Sequence, residues 1–184
     1  GVVGLGLMGS SIVASLLAMG HRVKAIAPVH GEKATGYNRI LEQLQLCEKF
    51  GILCATADKY LPLLTVSSEY EDLEDCCLVV ECIVENLAIK ENVFKKIAAV
   101  AKKEAILASN TSAIPISILQ KTVPNPHRFI GIHWAEPAFA TRFLEIICGN
   151  QTSETVANAV VKLALTWGKE PTIVKKDIRG FITN

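Results

Sequence analysis

Apolar residues along the chain fall into two kinds of run that take turns, short continuous blocks and longer stretches with helical spacing. Val2 and Val3 start a strand, and Ile12, Val13, Leu16 and Leu17 give the following segment a helical stripe that ends before Gly20. His21 to Ala27 predicts a second strand. Residues 34–61 predict a helical insert interrupted at Gly51, with Ile40, Leu44 and Cys47 on one face. Leu63 to Val66 then predicts a strand, Glu69 to Asp75 a short acidic helix or turn, and Cys77 to Val84 a strand buried on both faces, as in parallel sheets. Asn86 is placed to cap a helix in which Ile89, Val93, Ile97 and Val100 recur, with Lys102 and Lys103 at its carboxyl end. Strands follow at Ala105 to Ala108, Arg128 to His133 and Arg142 to Ile147. A helix with Val156, Val160, Leu163 and Trp167 closes on Gly168, and Pro171 to Val174 predicts a last strand. Strand alternating with helix from end to end predicts an α/β fold with a doubly wound parallel sheet and a helical insert after the second strand.

The first turn of that pattern carries chemistry. Gly4, Gly6 and Gly9 form G-x-G-x-x-G between an apolar strand and a helix. In that setting the first glycine permits a tight turn, the second lets a pyrophosphate approach the backbone, and the third lets helix and strand pack closely. Leu7 and Met8 complete the loop as candidate cofactor contacts, and the helix start offers unpaired N–H groups and a positive dipole end. The sheet is therefore expected to be of the Rossmann type. An acid at the end of the second strand should bind the adenosine ribose, but Ala27 stands there. Losing a charge-assisted hydrogen bond removes about 1.5–3 kcal/mol, or one to two decades of NAD affinity, unless His30, Glu32 or Lys33 compensates. A basic residue beyond that strand would also accept the extra phosphate of NADP.

Two further stretches are candidates. Ser109 to Ser112 (SNTS) puts four small polar residues at the carboxyl edge of the sheet, where one of them caps the next helix and the others face a ligand. Glu145 lies in an otherwise apolar strand, where a carboxylate is costly without a partner, and His133 at the end of the preceding strand is the candidate. A carboxylate on one ring nitrogen leaves the other to take a proton, which makes the pair a general base.

Composition narrows the picture. The 184 residues are 50% hydrophobic, enough for one sizeable core, and the formal net charge of +1 gives no reason to expect nucleic acid or a membrane surface as partner. No run is long enough for a membrane span, and the six cysteines lack paired C-x-x-C spacing, so buried reduced thiols and a cytoplasmic setting are expected, with no metal site. Gly1 leaves a short first strand and the chain runs apolar to its last residue, so it reads as a piece of something longer, cut at both ends.

GLGLMGSSI, VVECIVEN at Val79 to Asn86, SNTSAIPI at Ser109 to Ile116, GIHWAEP at Gly131 to Pro137, LEII at Leu144 to Ile147 and KDIRGFITN at Lys176 to Asn184 together resemble the NAD-binding domain of the L-3-hydroxyacyl-CoA dehydrogenases, nearly end to end. The resemblance implies hydride transfer between a 3-hydroxyacyl-CoA and NAD. It makes His133 the base that takes the hydroxyl proton and Glu145 its partner. Ser112 and Asn110 would hold the substrate oxygen or the nicotinamide, Glu85 would lie near the cofactor, and Asn184 would assist at the substrate carbonyl. It also implies that residues 1–184 are one dinucleotide-binding domain and that an all-helical domain, which makes a homodimer in the family, is absent here. The chain departs from the family pattern at several positions. Ala27 replaces an Asp, leaving NADP as an alternative cofactor. Glu136 replaces an Asn and adds a negative charge three residues from His133, which favours an imidazolium and repels anionic substrates. Arg179 replaces a Pro before Gly180, and the insert at 34–61 is short. The alternatives are a dehydrogenase of another 3-hydroxy acid, such as a sugar acid, and a non-catalytic nucleotide-binding protein on the same fold.

Overall fold

The computed structural model describes every residue except His30, Lys176, Arg179 and 182–184. In chain order the strands are β1 (Val2–Val3), β2 (Val23–Ile26), β3 (Leu64–Ser67), β4 (Leu78–Glu81), β5 (Ile106–Ser109), β6 (Phe129–Trp134), β7 (Phe143–Ile147) and β8 (Glu170–Val174). The helices are α1 (Leu7–Ala18), α2 (Glu32–Lys49), α3 (Leu87–Val100), α4 (Ile116–Leu119) and α5 (Glu154–Thr166). Short 3-10 helices at Ala57–Leu63 and Tyr70–Leu73 flank β3.

The strands form one eight-stranded sheet in the order β3-β2-β1-β4-β5-β6-β7-β8. Successive strand residues point to opposite faces, and the core divides accordingly. Val2, Val80, Ile106 and Ile146 join the apolar residues of α1, α2 and α5. Val3, Val79, Leu107 and Ile147 join those of α3 and α4. A sheet covered on both faces needs apolar residues at consecutive positions, which is why its strands read as continuous apolar blocks. Burying α1 from Gly9 through Leu17 leaves no polar side to that helix.

The helical insert ends sooner than its apolar pattern suggests. Gly51, at φ 68°, turns the chain out of α2, and the second piece is only the 3-10 helix at Ala57–Leu63. The strand expected at Cys77 to Val84 stops at Glu81, whose carboxylate accepts from the Ile83 amide at 2.7 Å and bends the backbone away. Lys102 and Lys103 fall beyond the end of α3 rather than within its last turn. Asn86 caps α3 as expected, its Oδ1 accepting from the Ile89 amide at 3.1 Å.

The sheet is parallel except between β6 and β7, which run antiparallel. Only residues 135–142 connect those two strands, too few for the crossover that parallel neighbours require. In the resulting register His133 stands directly opposite Glu145. β1 and β4 are adjacent, with β2 and β3 on one side and β5 onward on the other. The strand order thus reverses between β1 and β4, and the crevice beyond their carboxyl ends is where ligands bind in such sheets.

Candidate active site

The loop after β1 is shaped by what its glycines leave out. Gly4 has φ 95°, and a Cβ there would come within 2.8 Å of the Cys82 carbonyl oxygen. A Cβ on Gly9 would overlap the Gly4 carbonyl, so α1 sits as close to β1 as backbone allows. At Gly6 the opposite holds, with no atom within 4 Å of a built Cβ. Gly6 is also the N-cap of α1 and lends no side chain to the amides of the first turn. Leu7 is exposed and Met8 half-buried beside them. Open backbone, amides without side-chain caps and a dipole end make a cradle that suits a pyrophosphate.

The SNTS segment performs four separate tasks, none of them as a helix cap, because α4 starts only at Ile116 with Pro115 before it. Ser109 is buried and donates to Glu81 Oε2 at 2.6 Å. Asn110 Oδ1 accepts from the Trp134 amide at 2.9 Å, tying the end of β5 to the end of β6. Thr111 donates to Glu85 Oε1, which also accepts from the amides of Ser112 and Ala113 at 3.1 and 3.0 Å. Glu85 therefore serves here as the anchor of the turn that presents Ser112. Burial raises the Glu85 carboxyl, but the Thr111 hydroxyl and the nearby Lys90 charge outweigh it and hold it below the usual carboxylate range. Lys90 Nζ lies 3.4 Å from Glu85 and 2.6 Å from Glu81, and both Lys90 and Glu81 are buried.

Glu81 and Lys90 are participants that motif reasoning overlooks, although a signal exists. Glu81 interrupts an apolar strand just as Glu145 does, and Lys90 precedes Val93, Phe94 and Ile97 on the buried face of α3. A carboxylate and an ammonium each placed among apolar positions point to one another.

His133 and Glu145 meet across the β6–β7 pair, with Nδ1 to Oε2 at 2.6 Å. Glu145 is buried and His133 is partly open. On the other ring nitrogen, Ser112 Oγ lies 3.1 Å from Nε2. A carboxylate only accepts, so Nδ1 carries the hydrogen and Nε2 offers its lone pair toward Ser112. The Phe181 ring, 5.8 Å away between centroids, covers the imidazole. The sequence-derived residues Ser112, His133, Glu145, Glu85 and Asn110 thus come together at the carboxyl edge of the sheet.

The loop after β6 reaches the glycine-rich helix. The Ala138 amide donates to Ser11 Oγ at 2.9 Å, and Lys169 Nζ donates to the carbonyls of Ala138 and, at 2.7 Å, Thr141. Burial pushes Lys169 down to about 8. Glu136, on the same loop, is exposed over most of its surface; partial loss of water around its carboxyl raises it, and a hydrogen bond with Ser11 partly offsets that. Ala27 is buried, its amide donating to the Ser67 carbonyl at 2.8 Å, and Lys33 is exposed. Asn184, His30 and Arg179 lie outside the described residues. The cysteines are free thiols, but only Cys47 is fully buried while Cys54 and Cys77 are exposed, which corrects the expectation of six buried thiols. Among the described residues no cluster of three or more His, Cys, Asp or Glu could hold a metal ion. None of their helices is long and apolar enough to cross a membrane.

A doubly wound sheet with an open glycine loop at its switch point defines a dinucleotide-binding protein. Comparison with known proteins makes the class specific: residues 1–178 match the family model for the 3-hydroxyacyl-CoA dehydrogenase NAD-binding domain, and the chain belongs to that family. It is 36% identical to a probable 3-hydroxybutyryl-CoA dehydrogenase of Deinococcus radiodurans, covering 100% of this chain and 66% of the relative. The crystal structure of FadB2 from M. tuberculosis superposes with a TM-score of 0.94 at 32% identity, over 100% of this chain and 65% of that one. A second structure, a 5-formyl-3-hydroxy-2-methylpyridine 4-carboxylic acid 5-dehydrogenase described as an NAD+-dependent dismutase, superposes with a TM-score of 0.90 at 28% identity, over 98% of this chain and 58% of that one. The chain thus spans about two thirds or less of the length of these relatives.

Proposed function

We propose that the chain is the cofactor-binding domain of an NAD-dependent oxidoreductase that interconverts a 3-hydroxyacyl-CoA and its 3-oxoacyl product, with His133 as general base. The observation that carries this reading is the His133–Glu145 pair with Ser112 on Nε2, on a sheet edge shared with the glycine loop. The amides around Gly6, Leu7 and Met8 would hold the pyrophosphate, and Gly4 and Gly9 keep that loop tight. Bound nicotinamide supplies the acceptor for the hydride that leaves the substrate's C3 carbon. The 3-hydroxyl donates to Nε2, the nitrogen that now faces Ser112, and gives up its proton there as the carbonyl forms. Glu145, fixed on Nδ1, sets the tautomer beforehand and stabilises the imidazolium afterwards. Ser112 Oγ, held in place by the Glu85 anchor, is positioned to donate to the same substrate oxygen. Asn110 fixes the end of β6 and so the aim of His133.

His133→Ala is expected to lower turnover by about 10²–10⁴-fold, the usual contribution of general-base catalysis, while leaving NADH affinity unchanged. Equal loss of turnover and affinity would identify a structural histidine instead. A second reading, a dehydrogenase of a smaller acid not linked to CoA, is favoured by the pyridine carboxylate named for one structural relative. Steady-state rates with acetoacetyl-CoA against free 3-hydroxy acids separate the two.

A further inference from the structure

We propose that Glu32 binds the adenosine ribose of the cofactor, in place of the acid missing at Ala27, and that it selects NAD over NADP. This rests on the dinucleotide reading of the glycine loop given above.

β2 ends at Ile26, and Ala27 is buried with no group to offer a hydroxyl. The chain then turns through Gly31, at φ 81°, and α2 begins at Glu32, which lies 23 residues past Gly9 where Ala27 lies 18 past it. Either position meets the usual separation of about 20 residues between the glycines and the ribose-binding acid. What brings Glu32 to the cofactor is the face of α2 it occupies. Glu32, Gly36 and Ile40 follow one another at intervals of four and so share a side of the helix. Gly36 is buried, and a Cβ there would come within 2.7 Å of Leu5, the residue between the first two glycines of the loop. Arg39, next to that stripe, donates to the Leu5 carbonyl at 3.1 Å. The stripe therefore rests on the glycine loop, and Glu32 lies one turn farther along it, at the end of α2 that follows β2.

The Glu32 side chain has an unanswered valence. Its Oε2 is shut off from solvent and receives no hydrogen bond among the described residues. Lys33 points to solvent, and Arg39 is engaged with Leu5. A buried carboxylate oxygen is stable only with a donor. The vicinal hydroxyls of an adenosine ribose supply two donors at that side of the loop, whereas a 2′-phosphate brings negative oxygens and no donor. Turned outward from that shut-off position, the carboxylate of Glu32 accepts from the ribose of NAD and repels NADP. Arg39, which reaches the glycine loop at the Leu5 carbonyl, is the group that would take a 2′-phosphate once Glu32 is removed.

The test is calorimetric titration of the full chain with NADH and NADPH, in the wild type, Glu32→Ala and Glu32→Gln. Wild type is expected to favour NADH. Glu32→Ala should weaken NADH by about ten- to hundredfold, the equivalent of one charge-assisted hydrogen bond, and bring NADPH to within a few-fold of it, with Glu32→Gln intermediate. Unchanged NADH affinity in Glu32→Ala, or equal loss of both nucleotides, overturns the assignment of Glu32 while the cofactor reading stands. Wild type that binds neither nucleotide overturns the cofactor reading itself and this inference with it.

Discussion

At the scale of single residues, the glycine loop separates two demands that one motif conceals. Gly9 is a packing residue: a methyl group there would overlap the Gly4 carbonyl, so α1 must move off β1 to admit it. Gly6 has space around it and a φ of −65°, which any residue adopts. Gly9→Ala is therefore expected to destabilise the fold by about 1–3 kcal/mol, the range for overpacking a tight contact, and to lose NADH binding as well. Gly6→Ala should unfold at the wild-type denaturant midpoint yet bind NADH more weakly, because its methyl group occupies the surface left open for the pyrophosphate. Urea titration and nucleotide titration on both variants distinguish a glycine that builds the cradle from one that leaves it accessible. His133 and Glu145 were legible for a comparable reason. A carboxylate in an apolar strand demands a partner, and two strands joined by a short loop must run antiparallel and present one.

At the scale of elements, the pair Glu81–Lys90 joins the end of β4 to the first turns of α3 at 2.6 Å, with both side chains out of solvent. Glu81 has further donors in Ser109 and the Ile83 amide, while Lys90 has the Ile83 carbonyl at 3.2 Å and Glu85 at 3.4 Å. Removing Glu81 leaves a buried ammonium that has lost its shorter ion pair and keeps the half-exposed Glu85 at 3.4 Å. Glu81→Ala is expected to cost about 3–5 kcal/mol, read by chemical denaturation, and replacing both partners by Leu and Met should recover much of that loss. Element boundaries were the least legible feature because polar side chains end the strands here. β4 stops where Glu81 captures the Ile83 amide, and the SNTS turn forms no helix because Thr111 and two backbone amides converge on Glu85. Neither contact has a fixed sequence spacing. The alternation of strand and helix, by contrast, followed from apolar blocks and helical stripes, since burial on both faces leaves its mark at every position.

At the scale of the whole molecule, the groups assigned to the site sit on one sheet or on the loops and helix starts at its carboxyl edge, from the glycine loop beyond β1 to Glu145 on β7. Nucleotide binding must then draw on the stability of the entire sheet rather than on one mobile segment. The loop after β6 strengthens this connection, because Ser11 of α1 and Lys169 before β8 both fasten it. A ligand that binds only the folded chain stabilises it by about 2.7 kcal/mol at one hundred times its Kd. For a chain of this size, each kcal/mol raises the melting midpoint by about 2–4 °C. NADH at that concentration should accordingly raise the midpoint by about 5–11 °C in a single cooperative transition. The same shift, measured from the variant's own midpoint, is expected in His133→Ala, which leaves the glycine loop intact, and a smaller one in Glu32→Ala at equal nucleotide concentration. Two separate transitions, with only one moved by NADH, would mean that the strands from β5 to β8 fold as a unit apart from the glycine loop, and the shared sheet edge would not serve as one site.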